Sequence, residues 1–358
     1  MTRAVPGRAA LACRRLRRIG LAVAGATLLV AGDGRAEPPP VSPARRAAAV
    51  GLAAVPGLVV PGLGARTVGQ PRAARRLLVT AGVGLGLIVV GGVPIAATYG
   101  SGKVVVPGVP MVVTGVGLFL GRWWADIYTA AGGHGAPRGL PGLEVGVDGR
   151  WRRHPYLGDQ GQLGLDGRWR RDRWELRGHA ELAPTGLAGA RLDGRVRLWA
   201  PRGRVVAVTG TAVDLRVGTL GRRDRSVDPT RYTGEVAVRA RLDLADLDPG
   251  LGGSFLDGEA GLGLELTDYA VGDPDVNGVL LSRVGWGVYL PCGRGEVAGF
   301  YDHRRDGPAG GLAAGRAAGF FGSVGVAAEV VVTPAWTAAA TVEVGGAWVS
   351  TLGIRRSL

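Results

Sequence analysis

"RWELRGHAEL", residues 173–182, carries an ionisable side chain at every second position: Arg173, Glu175, Arg177, His179 and Glu181 alternate with Trp174, Leu176, Gly178, Ala180 and Leu182. Successive side chains of a β-strand point to opposite faces, so this segment has one charged face and one apolar face. The pattern recurs in "ARLDGRVRLWA" (190–200), with Arg191, Asp193, Arg195 and Arg197 against Leu192, Val196 and Leu198. It recurs again in "EVAVRARLDLAD" (235–246), where Glu235, Arg239, Arg241 and Asp243 oppose Val236, Val238, Ala240, Leu242 and Leu244. A slip of one residue would move every charge to the wrong face, so the register is strongly specified.

A soluble β-sandwich alternates too, with its charges turned to water. Three features favour a membrane instead. Several runs hold period two for far longer than the ~5–6 residues of an average soluble strand, and a bilayer-crossing strand needs ~9–11. The apolar face is built from Val, Ala, Gly and Leu, with little of the Ile, Phe and Met that fill an interdigitated core. Aromatic residues gather near run ends (Trp174, Trp199, Tyr232, Tyr269, Tyr289, Trp336), as interfacial girdles do.

Twelve strands are predicted, near 144–153, 162–169, 173–183, 190–200, 204–217, 232–246, 253–270, 279–291, 294–304, 318–333, 335–344 and 347–358. This spacing sorts the connections: short ones at 170, 201, 247, 292 and 334 fall on one rim, and longer ones at 154, 218, 272 and 306 on the other, which also carries two that are not long, at 184 and 345. Short turns on one rim and longer loops on the other, with an even strand number, are the layout of an outer-membrane barrel.

The last eight residues, "TLGIRRSL", resemble the terminal signal of bacterial outer-membrane β-barrels, with Thr351, Gly353 and Leu358 at its positions and Arg356 where an aromatic residue is usual. The hairpin "VVVTPAWTAAATVEV" resembles the penultimate turn of such barrels. The resemblance covers about residues 144–358 and implies an antiparallel transmembrane β-barrel of about twelve strands. Lipid and the barrel-assembly machinery would be its partners. In that architecture the charged set lines the lumen: Arg173, Glu175, Arg177, His179, Glu181, Arg191, Asp193, Arg195, Arg197, Arg239, Arg241 and Asp243. An Arg on the lipid face would cost ~2–4 kcal/mol at the bilayer midplane, so one orientation is favoured.

The region before the barrel differs. "CRRLRR", the apolar "IGLAVAGATLLVAG" and a small-residue site ending at Ala36 give a signal peptide over 1–36, after which the chain keeps Cys292 as its one cysteine. Residues 37–140 are apolar and rich in Gly and Pro. Two stretches, 76–100 and 104–124, are each long enough to cross a bilayer and suggest an α-helical hairpin with Trp123, Trp124 and Tyr128 as interfacial anchors. An inner-membrane hairpin would leave Arg66, Arg72, Arg75 and Arg76 on the periplasmic side, against the positive-inside tendency. Export of the whole chain follows, with the hairpin packing at the periplasmic edge or wall of the barrel, residues 141–358.

The formal charge is +14 over 358 residues, and Lys103 is the only lysine. Basic residues are interleaved with Asp and Glu along the strands, which argues against a nucleic-acid partner. "DPDVNG" (273–278) opens like a calcium loop, but Val284 stands where the bidentate Glu belongs. "ATYGSGKV" (97–104) echoes a phosphate loop and fails at both ends. His134, His154, His179 and His303 show no metal-ligand spacing, and no serine shares the strand of His179. No cofactor, metal or catalytic residue is therefore assigned. The expectation is a cell-outer-membrane protein that is a small pore or a structural or surface component with a charged lumen. The alternatives are an inner-membrane anchored protein with a soluble periplasmic β-domain, or a barrel enzyme acting on membrane lipid through His179 or His303.

Overall fold

The alternating segments form twelve strands, which pair in sequence order and close into one antiparallel barrel: β1 (Leu143–His154), β2 (Gly158–Arg171), β3 (Trp174–Leu182), β4 (Leu187–Trp199), β5 (Ala212–Asp224), β6 (Thr230–Asp243), β7 (Ser254–Asp268), β8 (Asp275–Tyr289), β9 (Gly295–Asp302), β10 (Ser323–Thr333), β11 (Trp336–Val344) and β12 (Trp348–Ser357). The computed structural model describes residues 41–358 apart from 100–101, 134, 155–157, 185, 202–208, 225–229, 270 and 305–321. The signal segment 1–36 lies outside the described residues. Strand β12 pairs with β1 from Trp348↔Arg153 to Ser357↔Glu144, which seals the sheet and leaves it no edge.

The polarity is inside out. Leu163 (73% exposed), Leu264 (65%) and Leu262 (56%) stand on the outer wall, while Glu144 is 2% exposed on the inner one. Outward aromatics ring both ends. Trp169, Trp174, Trp199 and Trp336 lie toward the rim that carries both barrel termini, and Trp151, Tyr232, Tyr269 and Trp348 toward the opposite rim. Tyr289 leaves the expected girdle. It is 1% exposed and points inward, with its ring 4.9 Å from that of Phe255 and beneath Arg241.

The expected sorting of loops does not hold. The predicted strand 204–217 is displaced to 212–224, so the terminal rim carries a long connection at 200–211 and the other rim a shorter one at 225–229. Propensity misleads here because "GTLGRRD" (218–224) looks like a loop, yet it pairs with β4 from Gly218↔Asp193 to Asp224↔Leu187. Glycine leaves room at 218 for carboxylates of the neighbouring strands: an added Cβ would lie 2.5 Å from Asp193 Oδ1 and 2.8 Å from Glu235 Oε1, and both side chains would have to move. The calcium-like "DPDVNG" is drawn into β8 from Asp275 onward, so no ligand loop forms around it.

Among the described residues, five helices precede the barrel: α1 (Pro43–Ala54), α2 (Pro56–Val59), α3 (Leu63–Thr67), α4 (Pro71–Ala97) and α5 (Gly102–Ala130). Helices α4 and α5 are the expected hairpin, and glycines set their contact. A Cβ at Gly115 would come 2.5 Å from Gly84 O, and one at Gly91 2.7 Å from Gly108 O. Small residues at a helix–helix contact allow the close approach that packing needs. Replacing Gly115 with Leu should therefore force the pair apart at a cost of about 1–3 kcal/mol. Spin labels at Val83 and Val116 would show it as a longer, broader distance distribution; an unchanged distribution would refute the close contact.

Helix α5 packs on the outside of the barrel wall. Gly117 sits on Val284, Gly121 on Leu256, and the Trp124 ring stacks on Trp286 at 5.9 Å. At the terminal rim, Ala73, Ala74 and Leu77 of α4 form a core with Leu244, Leu251 and Leu256. The short helices brace the end of α5: buried Asp126 accepts from Ala65 N (2.7 Å) and Gly64 N (3.1 Å), and Arg122 donates to Gly57 O (2.9 Å) and Leu58 O (2.8 Å).

Candidate functional site

The lumen is the candidate site, and its chemistry is a mesh of arginine–carboxylate pairs. Glu175, Arg177, His179 and Glu181 of β3, Arg191, Asp193, Arg195 and Arg197 of β4, and Arg239, Arg241 and Asp243 of β6 all lie on the inward face of their strands. Arg173 does not. It occupies the turn between β2 and β3 and is exposed at the terminal rim, because the two-residue turn with Asp172 at φ 49° ends the alternation before it. Asp243 faces inward but caps a turn, accepting from Ala245 N at 3.0 Å.

Three carboxylates act as hubs: Glu329, Asp166 and Glu235. Glu329 on β10 takes Arg138 (2.7 Å), Arg355 (2.9 Å) and Arg168 (3.6 Å). Asp166 on β2 takes Arg177 (2.8 Å), Arg168 (3.1 Å) and Arg355 (3.2 Å). A second mesh joins Arg191 to Glu235, Arg216 to Glu235 (2.8 Å) and Glu259 (2.7 Å), and Arg304 to Glu235 (3.0 Å). A third runs Glu144–Arg170 (2.6 Å), Arg170–Glu175 (3.1 Å), Glu175–Arg195 (2.5 Å), Arg195–Asp214 (3.6 Å) and Arg197–Asp214 (2.8 Å).

Several of these pairs skip strands. Arg168 on β2 reaches Glu329 on β10 past β1, β12 and β11, and Arg241 on β6 reaches Glu296 on β9 at 2.7 Å. The packing buries many of these charges. Glu144, Asp166, Arg170, Asp214 and Glu235 are each 6% exposed or less, although they face the inside of the barrel. Glu235 already stood on the charged face of its strand in the sequence, whereas Glu329, Asp166, Arg168 and Arg138 were not singled out. For the first three the signal was the same period-two alternation, present in "GQLGLDGRW" and "VGVAAEVVV" with fewer charges per strand, and Arg138, outside any strand, carried none.

A strap crosses the terminal rim. Gly135 lies against Tyr289 O at the end of β8, while β1 begins five places away in the ring of twelve. Residues 135–142 therefore cross the mouth. Arg138 N donates to Thr209 Oγ1 (2.9 Å), Thr209 N donates to Arg138 O (3.0 Å), and the Arg138 guanidinium enters the lumen to meet Glu329. Ala136 to Pro141 border a cavity of about 670 Å³ together with Val331, Thr337 and Ser357.

His179 Nδ1 is 3.6 Å from Asp148 Oδ2, and its partners in register are Asp166 and Arg191. His303 Nδ1 is 2.8 Å from the Tyr301 hydroxyl. Among the described residues no group of three metal-ligating side chains forms. In the terminal strand, Thr351 faces inward opposite Arg150 and Gly353 opposite Asp148. Leu358 is 66% exposed on the outer face, and Arg356 lies over the Trp336 ring at 5.8 Å.

Ladder closure and inside-out polarity define the class: a closed antiparallel β-barrel with an apolar outer wall and a charged, packed interior. No family model matches the sequence, and no curated protein matches it. Solved structures similar to the chain are bacterial outer-membrane barrels. The KdgM porin aligns at a TM-score of 0.36 and 10% identity, covering 60% of this chain and 99% of its own. The NanC porin aligns at 0.39 and 12%, covering 60% and 100%. The translocator domain of the autotransporter NalP from Neisseria meningitidis aligns at 0.36 and 12%, covering 61% and 88%.

Proposed function

We propose that the protein is an outer-membrane β-barrel that serves as a structural or surface component, with a lumen closed at rest. The observation that carries this is the burial of inward-facing charge: an open aqueous channel would wet Glu144, Asp166 and Glu235, which are 2%, 6% and 5% exposed. Membrane residence is supported by the exposed apolar wall between two aromatic rings, since soluble proteins rarely leave large contiguous apolar surface uncovered. The same wall speaks against a soluble periplasmic β-domain. Lipid and the barrel-assembly machinery are the proposed partners, the latter through Thr351, Gly353 and Leu358. No catalysis is proposed for His179, whose Asp148, Asp166 and Arg191 neighbours offer no nucleophilic hydroxyl.

A second reading, a small gated pore, is favoured by the strap, which two backbone–Thr209 contacts and one ion pair hold across the mouth. Planar-bilayer recording of the full chain separates the two. The unmodified protein is expected to show no steady conductance, and steady open channels would overturn the closed reading. Arg138→Glu sets a carboxylate against Glu329 and should release the strap. Channel opening in this variant alone would make the strap a gate, and continued silence would leave the structural role.

A further inference from the structure

We infer that the α4–α5 hairpin lies in the same bilayer as the barrel and that an arginine collar at its base, Arg66, Arg72, Arg75 and Arg76, binds the phosphate of anionic phospholipid headgroups. The inference rests on the barrel reading above. Helices α4 and α5 are long and apolar enough to cross a membrane, and only 17% of each apolar window is buried within the protein. Helix α5 lies against the outward face of β7 and β8, the wall that the other strands turn to lipid. Leu78, Leu85, Val89, Val90 and Val93 of α4 remain 51–60% exposed, a second apolar surface beside the barrel belt.

Among the described residues, the charge at the base of this hairpin has no carboxylate partner. No Asp or Glu occurs between residues 41 and 125. Arg66, Arg72 and Arg75 are exposed and Arg76 half-buried, and among the described residues none of the four forms an ion pair. Carboxylates of the loop packed against the base of α4 are engaged elsewhere: Asp246 accepts from the Thr211 hydroxyl and Asp248 from Gly250 N. Arg45 and Arg46 are not counted, since Arg45 donates to Thr67 O at 2.7 Å and the Arg46 guanidinium lies against Gly132.

Position strengthens the argument. Three of the arginines fall within the first six residues of α4, a helix with no acidic residue in its first turn. A helix N-terminus carries partial positive charge, so cations there are destabilising unless an external anion compensates. The apolar run begins at Leu77, and the Trp123, Trp124, Tyr128 and Trp286 cluster lies at the base of α5, as interfacial aromatics do. Guanidinium groups at that depth meet the phosphate layer, and clustered basic residues beside a membrane helix attract anionic lipid.

The test uses the full chain in vesicles of phosphatidylcholine with phosphatidylglycerol. Spin-labelled phosphatidylglycerol should be held at the protein surface with a several-fold preference over spin-labelled phosphatidylcholine, weakened by salt. The quadruple variant R66Q/R72Q/R75Q/R76Q should bring that preference close to one. No preference in the unmodified chain, or an unchanged one in the variant, would overturn the collar. A label at V89C should be relaxed by oxygen and shielded from a water-soluble nickel chelate; the reverse would remove the hairpin from the bilayer. Gel mobility of the same sample before and after boiling reports barrel closure, so failure of the collar is distinguishable from failure of the barrel.

Discussion

Exchanging Glu329 for Gln will cost the barrel about 3 kcal/mol, the low end of the ~3–5 kcal/mol expected when one partner of a buried ion pair is removed. The low end applies because the Glu329 side chain is 25% exposed, while Arg138, Arg168 and Arg355 around it are 7%, 11% and 11% exposed. Gln keeps the shape and one acceptor but leaves three guanidiniums facing one another, with Asp166 left to serve Arg168 and Arg355 and with Arg177 already on it. Arg138 loses its only carboxylate among the described residues. Denaturant titration, followed by the loss of the compact unboiled gel band, measures the effect. The double variant Glu329→Gln, Arg355→Gln should recover part of the loss, because one uncompensated charge leaves with its partner. A single variant as stable as the parent would mean that water, and not packed side chains, surrounds Glu329.

The alternation that identifies the lumen was fully legible. Each of the twelve expected strands overlaps an observed one, and β5 moves furthest, by eight residues at its start. Period two is robust because one face must be apolar in lipid and the other must satisfy charge, so each strand carries the signal by itself. Loop sorting was not legible, since it depended on where β5 starts. The run 204–217 is apolar and β-branched, while the true continuation hides Gly218 and Arg222, whose fitness lies in partners on other strands: Asp193 and Glu235 for the glycine, Glu181 at 3.5 Å for the arginine. The same reason hid the hubs. Which of many inward carboxylates gathers three arginines depends on chords across the barrel, and a sequence carries no record of chords. The strap was hidden as well, because it follows from α5 docking on β8 while β1 starts across the mouth. The glycines of the hairpin lowered its apparent hydrophobicity, and in the fold they are the surface through which α4 and α5 meet.

Arginine placed along the outward face of β7 is expected to show a cost graded by depth. Leu262, Leu264 and Leu266 share that face at 56%, 65% and 39% exposure, and lie progressively closer to the rim that carries Tyr232 and Tyr269. Leu262→Arg, near mid-strand, should lose about 2–4 kcal/mol, while Leu266→Arg, paired with Tyr232 in the aromatic ring, should lose only ~0–1 kcal/mol. Leu264→Arg should fall between them. The gradient arises because the guanidinium must be desolvated at the centre of the hydrocarbon, whereas near the interface its long side chain reaches the headgroups. Refolding each variant into phosphatidylcholine vesicles and measuring its denaturant midpoint gives the profile. A protein whose wall faced water would respond in the opposite way: all three leucines are solvent-accessible in the isolated chain, so charge there would be neutral or favourable at every depth. A flat profile would therefore return the chain to the soluble β-domain, and a graded one fixes both its membrane residence and the height at which the barrel sits.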